Sequence, residues 1–423
     1  MRARLAFACP LVVGLIWATS RVNVAEAQSP ALRSAQSPLA SDPVVKGKRS
    51  KRAGQSSSAW RVAPALRVDA EYDNNVFLLA PLKKGDLAAP STSELISGRY
   101  TDMKSAKDVL TTMSAGLSLK GPGLMGKTSQ IAPELSYELY AQNPARSNVS
   151  LGLSLQQDLW ADGRLRIEGR LTPSYFGRNY LANAVDQDAD GSISAAERVY
   201  ATGQYREGEF GTDYRLPLAK ATKKHPFGAA LQLGGGYYGR SYDAVLAGRN
   251  LRGPTAAAKL LLALGRRVEF DLGYDYLSLG ATPSNQVLLL DEPAFGLDLN
   301  GNGNATDLNA RSLTMVDRSR KEHSMGVSLR LAPSKPVDIT LSVEHRWRRF
   351  TSNQSLDISD RGRQDRRDQA SADLRLRLTK DLRARLGGVY SAQKLNRTGD
   401  PGAAGEIDDY TRSQGRLGLS YEL

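Results

Sequence analysis

The chain has 423 residues, of which 41% are hydrophobic and 24% are charged, and its formal net charge is +13. This length is enough for one large domain or two ordinary ones. The only cysteine, Cys9, lies within a predicted leader, so the mature chain is expected to have neither disulfides nor a thiolate metal site. The basic balance would fit nucleic-acid binding, but the predicted export of the chain excludes that partner.

Residues 1–27 predict a secretory signal peptide. Two of the first four residues are arginines, residues 5–19 are mostly apolar, and Ala25 and Ala27 form the small-x-small pattern that precedes a cleavage site. The apolar stretch is too short for a transmembrane anchor, and no later apolar run reaches the length of a spanning helix. We therefore expect an exported chain that is either soluble or a β-barrel.

Residues 28–60 predict a disordered basic linker. Ser, Gln, Ala, Lys and Arg dominate this stretch, which includes the basic cluster Lys46–Arg52. Such a composition cannot bury enough apolar surface to fold. Two interpretations of the cluster remain open: a solvated linker, or a contact with acidic lipid headgroups or peptidoglycan.

Apolar and polar residues alternate through most of residues 61–423. Clear examples are Arg164–Leu171, Val268–Tyr276 and Val337–Trp347, in which one face is apolar and the other polar. Many such segments exceed the usual strand of about five or six residues and approach the roughly 9–11 residues of a tilted strand that crosses a bilayer. The predicted strands cover 62–79, 109–120, 129–142, 148–160, 163–177, 199–217, 227–242, 255–264, 267–279, 313–332, 336–352, 365–379, 382–395 and 409–423.

The connections between these strands alternate in length. In an outer-membrane barrel, long outer loops alternate with short inner turns, and both termini lie in the periplasm. Every odd predicted connection except 143–147 is long, whereas the even ones are short turns such as 161–163 and 333–336. The sequence therefore predicts an all-β fold in the bacterial outer membrane: an antiparallel transmembrane β-barrel of about 14 strands with long outer loops.

Residues 186–197 have the ligand spacing of an EF-hand-like calcium loop. Aspartates occupy positions 1, 3 and 5, Gly191 permits the sharp turn at position 6, and a glutamate at position 12 can bind in bidentate fashion. The residue at position 7 supplies its backbone carbonyl. The predicted Ca²⁺ ligands are Asp186, Asp188, Asp190, Ser192 and Glu197.

The sequence around this loop does not predict a complete EF-hand. Residues 179–185 are too short for an entering helix, whereas 195–201 could form about two helical turns. A single unpaired loop should bind calcium weakly, with a dissociation constant of about 10⁻⁴–10⁻³ M, as in extracellular modules. Residues 298–309 imitate the spacing with fewer carboxylates, and both a flexible turn and a second calcium loop remain possible there.

The last predicted strand ends in Arg416-x-Gly418-x-x-Tyr421-x-Leu423. This pattern resembles the C-terminal signal by which outer-membrane barrels are recognised for assembly. The resemblance implies that the barrel assembly machinery is a partner of this strand and that outer-membrane lipid surrounds the mature protein. An ordinary final strand would share the alternation of apolar residues.

The stretch Tyr72–Phe77, with the sequence YDNNVF, lies near the start of the predicted barrel. It resembles the first-strand motif of bacterial outer-membrane barrels linked to exopolysaccharide export and of the barrel part of surface lipoprotein assembly modifiers. The resemblance implies a porin-like outer-membrane barrel, with polysaccharide or small solutes as the molecules handled. In the second family a helical-repeat domain precedes the barrel, whereas only a linker precedes it here.

The polar strand positions predict a water-filled lumen. They carry charges of both signs, with arginine more frequent than acid, so a preference for anionic solutes and structural cross-strand ion pairs are both open interpretations. The residues concerned include Arg164, Arg166, Arg170, Arg375, Arg377, Arg383, Arg385, Glu168, Asp271, Asp275 and Glu344.

We expect no enzyme activity and no catalytic residues. The chain contains three histidines, His225, His323 and His345, and lacks a nucleophile elbow, a paired-histidine metal motif and a phosphate loop. The leading hypothesis is a barrel that forms a polar passage for solutes or a polymer and binds calcium in an outer loop. The alternatives are a non-transporting barrel that binds surface partners in a calcium-dependent way, and a secreted soluble calcium-binding β protein.

Overall fold

Antiparallel strands close into a barrel in the part of the chain that the structure describes. The computed structural model describes residues 60–422 except 80, 91–98, 185–197, 223–224, 244–245, 247–248, 266, 282–283, 288–312, 354–359 and 397–408. The predicted signal peptide and almost all of the predicted linker lie outside these residues. Fourteen of the described strands form the barrel, and each pairs with its neighbours in sequence order until the last strand pairs with the first. The predicted fold is therefore confirmed.

The barrel strands are β1 (Arg61–Asp73), β2 (Asp108–Pro122), β3 (Thr128–Tyr140), β4 (Asn148–Asp158), β5 (Arg164–Ala184), β6 (Arg198–Ala219), β7 (Phe227–Tyr242), β8 (Leu251–Leu264), β9 (Val268–Leu279), β12 (Arg320–Ser334), β13 (Val337–Phe350), β14 (Gln364–Arg377), β15 (Leu382–Asn396) and β16 (Tyr410–Glu422). Two further strands, β10 (Ser284–Val287) and β11 (Leu313–Val316), pair with each other as a separate hairpin.

Two strand predictions are corrected by the structure. The predicted strand 62–79 ends at Asp73, because the Asp73 carboxylate accepts the Asn75 N–H and Leu78 adopts a left-handed φ of 57°. The predicted strand 313–332 is divided between β11 and β12. There the Asp317 carboxylate accepts the Ser319 N–H, and this local turn separates the two strands.

The two ends of the barrel differ in their connections. All connections at one end of the barrel, which we call the short-turn end, are short: the shortest is 335–336 and the longest is 220–226. The other end, called the long-loop end here, carries connections such as 74–107 and 280–319. Arg61 and Glu422 both lie at the short-turn end, because Ala65 pairs with Glu422 where the first and last strands meet.

The side chains of each strand divide into an apolar outer face and a polar inner face. On β1, Leu66 and Val68 are exposed on the outside, whereas Asp69 and Glu71 are buried on the inside. On β13, Val343 is 62% exposed and the neighbouring Glu344 points inward, where it pairs with Arg346. This arrangement is the reverse of a soluble barrel and matches strands that face lipid outside and water inside. Among the described residues, no helix is long and apolar enough to cross a bilayer, a finding that concerns helices alone.

The first long connection folds back onto the inner wall. It contains the helix α1 (Pro81–Ala88) and buries apolar side chains against three residues of the barrel, Leu110 on β2, Tyr140 on β3 and Phe176 on β5. Phe77 and Phe176 meet edge to face, with their ring centroids 6.3 Å apart. The side chains that the connection contributes are Val76, Phe77, Leu79, Leu87, Tyr100 and Met103.

Candidate functional site in the barrel lumen

The lumen encloses a cavity of about 430 Å³ lined by residues from eleven of the fourteen barrel strands, β1–β9, β15 and β16. Its described lining contains nine acidic residues and eight basic ones, so the two signs nearly balance. The excess of arginine noted in the sequence therefore does not carry over to this cavity. Several charges instead form pairs along or between strands, such as Arg385 Nε with Asp373 Oδ1 at 2.6 Å, and Arg166 with Glu168.

A continuous chain of ion pairs lies at the long-loop end of the wall formed by β12, β13 and β14. Arg363 holds Asp365 with two parallel hydrogen bonds of 2.8 Å and is 1% exposed. The Arg363 guanidinium also stands 4.4 Å from the centre of the Phe350 ring. Burial lowers the pKa of Arg363, while the carboxylates of Asp365 and Asp360 oppose that effect. In order, the ion-pair chain consists of Arg318, Asp360, Arg363, Asp365, Arg348, Glu322 and Arg320.

A stripe of tyrosines and arginines runs across the inner wall from β3 to β7. Arg146 stands 5.0–5.1 Å from the ring centres of Phe77, Tyr140 and Tyr175. Further along, Arg240 lies 4.3 Å from the Tyr205 ring and pairs with Glu207 at 2.7 Å. The Tyr205 ring contacts the Tyr175 ring at a centroid distance of 5.1 Å and the Tyr242 ring at 5.0 Å. We define the tyrosine–arginine stripe as Tyr140, Arg146, Tyr175, Tyr205, Arg240 and Tyr242.

The sequence prediction missed this stripe. Tyr238, Arg240 and Tyr242 alternate on the inner face of β7, which is the signal that could have revealed one strand of it. Its other members come from β3, β5, β6 and the connection after β3, and their proximity depends on the register between strands.

The YDNNVF motif joins the first strand to the last one. The Asp73 carboxylate accepts a hydrogen bond of 2.5 Å from Arg412 Nη2. Glu71, the next inward-facing residue toward the short-turn end, pairs with Arg416. Asn75 is fully buried, and its side-chain amide donates to the carbonyls of Leu79 and Thr411. The Asn74 side chain accepts the Ser413 N–H. The motif therefore anchors the first connection at the place where the barrel closes, which we call the closure seam.

Gly418, in the predicted C-terminal assembly pattern, belongs to the same seam. It pairs with Asp69 across β1 and β16, and a Cβ at this position would collide with the Asp69 carboxylate. A larger residue at this position would therefore force the Asp69 carboxylate to move, which gives Gly418 a packing role independent of any recognition by a partner.

The predicted calcium ligands Asp186, Asp188, Asp190, Ser192 and Glu197 lie outside the described residues, as does the second candidate loop 298–309. The structure does describe what flanks the first loop. Ala184 and Arg198 are direct partners of an antiparallel pair. Both flanks are thus strands, and the helix predicted over 195–201 is wrong from Arg198 onward because β5 takes up the backbone hydrogen bonds of that segment. In the described part of the chain, no group of three or more His, Cys, Asp or Glu residues is arranged to hold a metal ion.

The three histidines lie away from the lumen. His225 is in the short connection between β6 and β7. His323 and His345 belong to the outer face, where His323 stacks on Trp347 at a centroid distance of 5.3 Å and His345 Nδ1 lies 2.7 Å from Asp368 Oδ1.

Among known proteins, the chain is similar only to solved structures, and only at low sequence identity. No family model and no curated protein matches the chain. Among solved structures, the outer-membrane channel DcaP of Acinetobacter baumannii aligns over 86% of this chain and 97% of its own, with 12% identity and a TM-score of 0.38. A Pseudomonas aeruginosa FadL homologue aligns over 85% and 89%, with 11% identity and a TM-score of 0.39. The outer membrane protein OprD of P. aeruginosa aligns over 86% and 93%, with 12% identity and a TM-score of 0.35. These TM-scores are low, and the barrel is established by the chain's own strand pairing.

Proposed function

We propose that the protein is a bacterial outer-membrane β-barrel whose polar lumen forms a passage for solutes or a polymer. The observation that supports this proposal is that the strands turn their apolar face outward and their polar face inward, the reverse of a soluble barrel. Apolar side chains such as Leu66 and Val343 face outward, while charged side chains line a cavity of about 430 Å³. A packed core would not accept so many charges, whereas water in a lumen solvates them.

The connections support one orientation in the membrane. In outer-membrane barrels the long loops are external and the short turns periplasmic. The long-loop end therefore faces outward, and Arg61 and Glu422 lie on the periplasmic side. The final strand β16 is the segment that the barrel assembly machinery would bind, because it carries the pattern from Arg416 onward.

The tyrosine–arginine stripe favours polyhydroxylated solutes, including sugars that carry acidic groups. Tyrosine rings offer apolar faces with hydroxyl groups at their edges, and arginine adds charge-assisted hydrogen bonds. Tyr140, Arg146 and Tyr175 line the cavity directly. The first connection packs on Tyr140 and Arg146, so it narrows the passage near the long-loop end.

Planar-bilayer recording of the mature protein tests the passage. Stepwise single-channel conductance is expected, because the lumen is polar and contains space for water. A protein that inserts into the bilayer but gives no steps would contradict the passage and favour the non-transporting, surface-binding barrel. Recovery of the protein from the medium or the periplasm, without heat-modifiable gel mobility, would instead favour the secreted soluble alternative.

Calcium binding by residues 186–197 is a second part of the proposal. It is supported by the ligand spacing and by the position of the loop between the paired ends of β5 and β6, which fix its two ends close together. Calcium at this site would order a surface loop. Titration with calcium should reveal one weak site that is lost in the double variant Asp186→Ala and Glu197→Ala.

The matched control replaces Asp298 and Asp307, which are the carboxylates of the second candidate loop. If both double variants retain the same calcium affinity as the wild type, neither loop is a ligand site. If only the control loses binding, the site belongs to residues 298–309.

A further inference from the structure

Four basic side chains form a cluster on the outer face of the barrel near the long-loop end. They come from four neighbouring strands, β12 to β15, and all four are exposed. Each is next in sequence to a buried side chain that points inward, such as Glu322 beside Lys321 and Asp365 beside Arg366. We define the basic cluster as Lys321, Arg349, Arg366 and Lys394.

The strand register brings these like charges together. Lys321 lies directly opposite Arg349, and Arg366 lies directly opposite Lys394. Because Trp347 is the partner of Arg366, Arg349 stands diagonally across from Arg366 and connects the two pairs. Side chains directly opposite each other have Cβ atoms about 4.5–5.5 Å apart, and like charges at that spacing repel.

No ion pair or hydrogen bond of these four side chains is found within the described residues. Two carboxylates among the described residues lie near the cluster. Asp368, two positions from Arg366, is 2.7 Å from His345 Nδ1, and Asp409 accepts the Leu395 N–H at 2.7 Å beside Lys394. The arginines of the ion-pair chain inside the barrel are matched by carboxylates, as Arg348 is by Glu322 and Asp365. The outer cluster is thus a concentration of positive charge whose four side chains form no ion pair with the described residues.

The position of the basic cluster relates it to the membrane. Along the outer face of β13, the order toward the long-loop end is Val343, His345, Trp347 and then Arg349. Trp347, His323 and Tyr276 form a contiguous group of rings. Aromatic groups of this kind mark the boundary between hydrocarbon and headgroups. The basic cluster therefore stands at the level of the headgroups.

We propose that the basic cluster binds the phosphates of a diphosphorylated glycolipid, lipid A, in the outer leaflet. Closely spaced phosphates would neutralise the repulsion between the paired cations and accept charge-assisted hydrogen bonds from both arginines. The acyl chains would lie along the apolar and aromatic face below. This inference rests on the proposed outer-membrane location and orientation, and it adds a specific lipid site on the outer wall.

The test measures lipid A binding to the purified full-length mature protein in detergent. The variant replaces Lys321, Arg349, Arg366 and Lys394 with Gln. The matched control replaces four exposed lysines at the short-turn end with Gln: Lys127, Lys220, Lys335 and Lys380. Both variants lose four positive charges, so non-specific attraction falls equally. Lipid A affinity should fall by about tenfold or more in the cluster variant, because four charge-assisted contacts are lost, and should stay close to wild type in the control.

Equal lipid A affinities of the cluster variant and the control variant would show that the basic cluster is not the lipid A site. Equally tight binding of phosphatidylglycerol, lost in the same variant, would overturn the choice of a diphosphorylated glycolipid. Heat-modifiable mobility verifies folding, and the paired variants Lys321→Gln/Arg349→Gln and Arg366→Gln/Lys394→Gln replace the quadruple variant if it does not fold. Cell fractionation tests the outer-membrane location separately, so its failure is distinguishable from failure of lipid binding.

Discussion

At the long-loop end of the barrel, a single buried carboxylate, Asp365, connects two arginines of the ion-pair chain. Asp365 is 3% exposed and accepts hydrogen bonds from both Arg363 and Arg348. Removing this carboxylate breaks the ion-pair chain between two guanidinium groups, Arg363 and Arg348, which are left with one carboxylate each, Asp360 and Glu322. A buried charge without its partner costs far more than an exposed pair contributes.

We predict that Asp365→Asn lowers the free energy of unfolding by about 3–5 kcal/mol, the range typical of breaking one partner of a buried ion pair. The measurement is urea unfolding of the barrel in lipid vesicles. Lys380→Gln removes an exposed partner of Asp381 and should leave the unfolding midpoint unchanged. A comparable loss of unfolding free energy in both variants would mean that burial of the ion-pair chain does not contribute to stability.

The Asn75 side chain links the first connection to the closure seam. It accepts the Leu79 N–H at 2.8 Å and donates to the Leu79 carbonyl at 2.8 Å and the Thr411 carbonyl at 3.3 Å. We predict that Asn75→Ala weakens the attachment of this connection by about 1–3 kcal/mol, because buried backbone groups lose their partners. Limited proteolysis should then cut within 74–107 sooner than in Asn74→Ala, which loses one bond of 3.2 Å. Equal cleavage rates would contradict this.

At the scale of elements, the alternation of apolar and polar residues was enough to predict the barrel strands. Val337–Phe350 closely matches the predicted strand 336–352. Prediction failed where a local turn interrupts alternation, as at Asp73 and Asp317, because one side-chain hydrogen bond overrides the pattern. The partners at the closure seam could not be predicted either. Asp73 and Arg412 are 339 residues apart, and only the closed register brings them together.

The tyrosine–arginine stripe offers a test of solute recognition. We predict that the double variant Tyr175→Leu and Tyr205→Leu reduces the block of channel current by an acidic oligosaccharide by about tenfold, since each stacked ring contributes on the order of 1 kcal/mol. The control is Tyr237→Leu on the outer face of β7, which is 51% exposed. An unchanged block in the stripe variant would show that the solute does not use these rings.

At the scale of the whole molecule, the alternation of long and short connections is the basis of the proposed orientation. The predicted mature chain has no cysteine, so single introduced thiols report position without interference. We predict that Lys107→Cys, at the long-loop end, reacts with a membrane-impermeant maleimide on intact cells, whereas Lys380→Cys reacts only after the outer membrane is opened. The reverse pattern would invert the proposed orientation.

The closure seam also determines when the barrel can form. Two inner carboxylates of β1, Glu71 and Asp73, pair with arginines on β16, which is the last of the barrel strands in sequence order. Until it arrives, β1 presents an unpaired backbone edge, and such an edge can pair with a strand of another molecule. Assembly is therefore expected to be all-or-none with respect to chain length: a chain truncated before Tyr410 would retain thirteen of the fourteen barrel strands yet remain open and prone to aggregation.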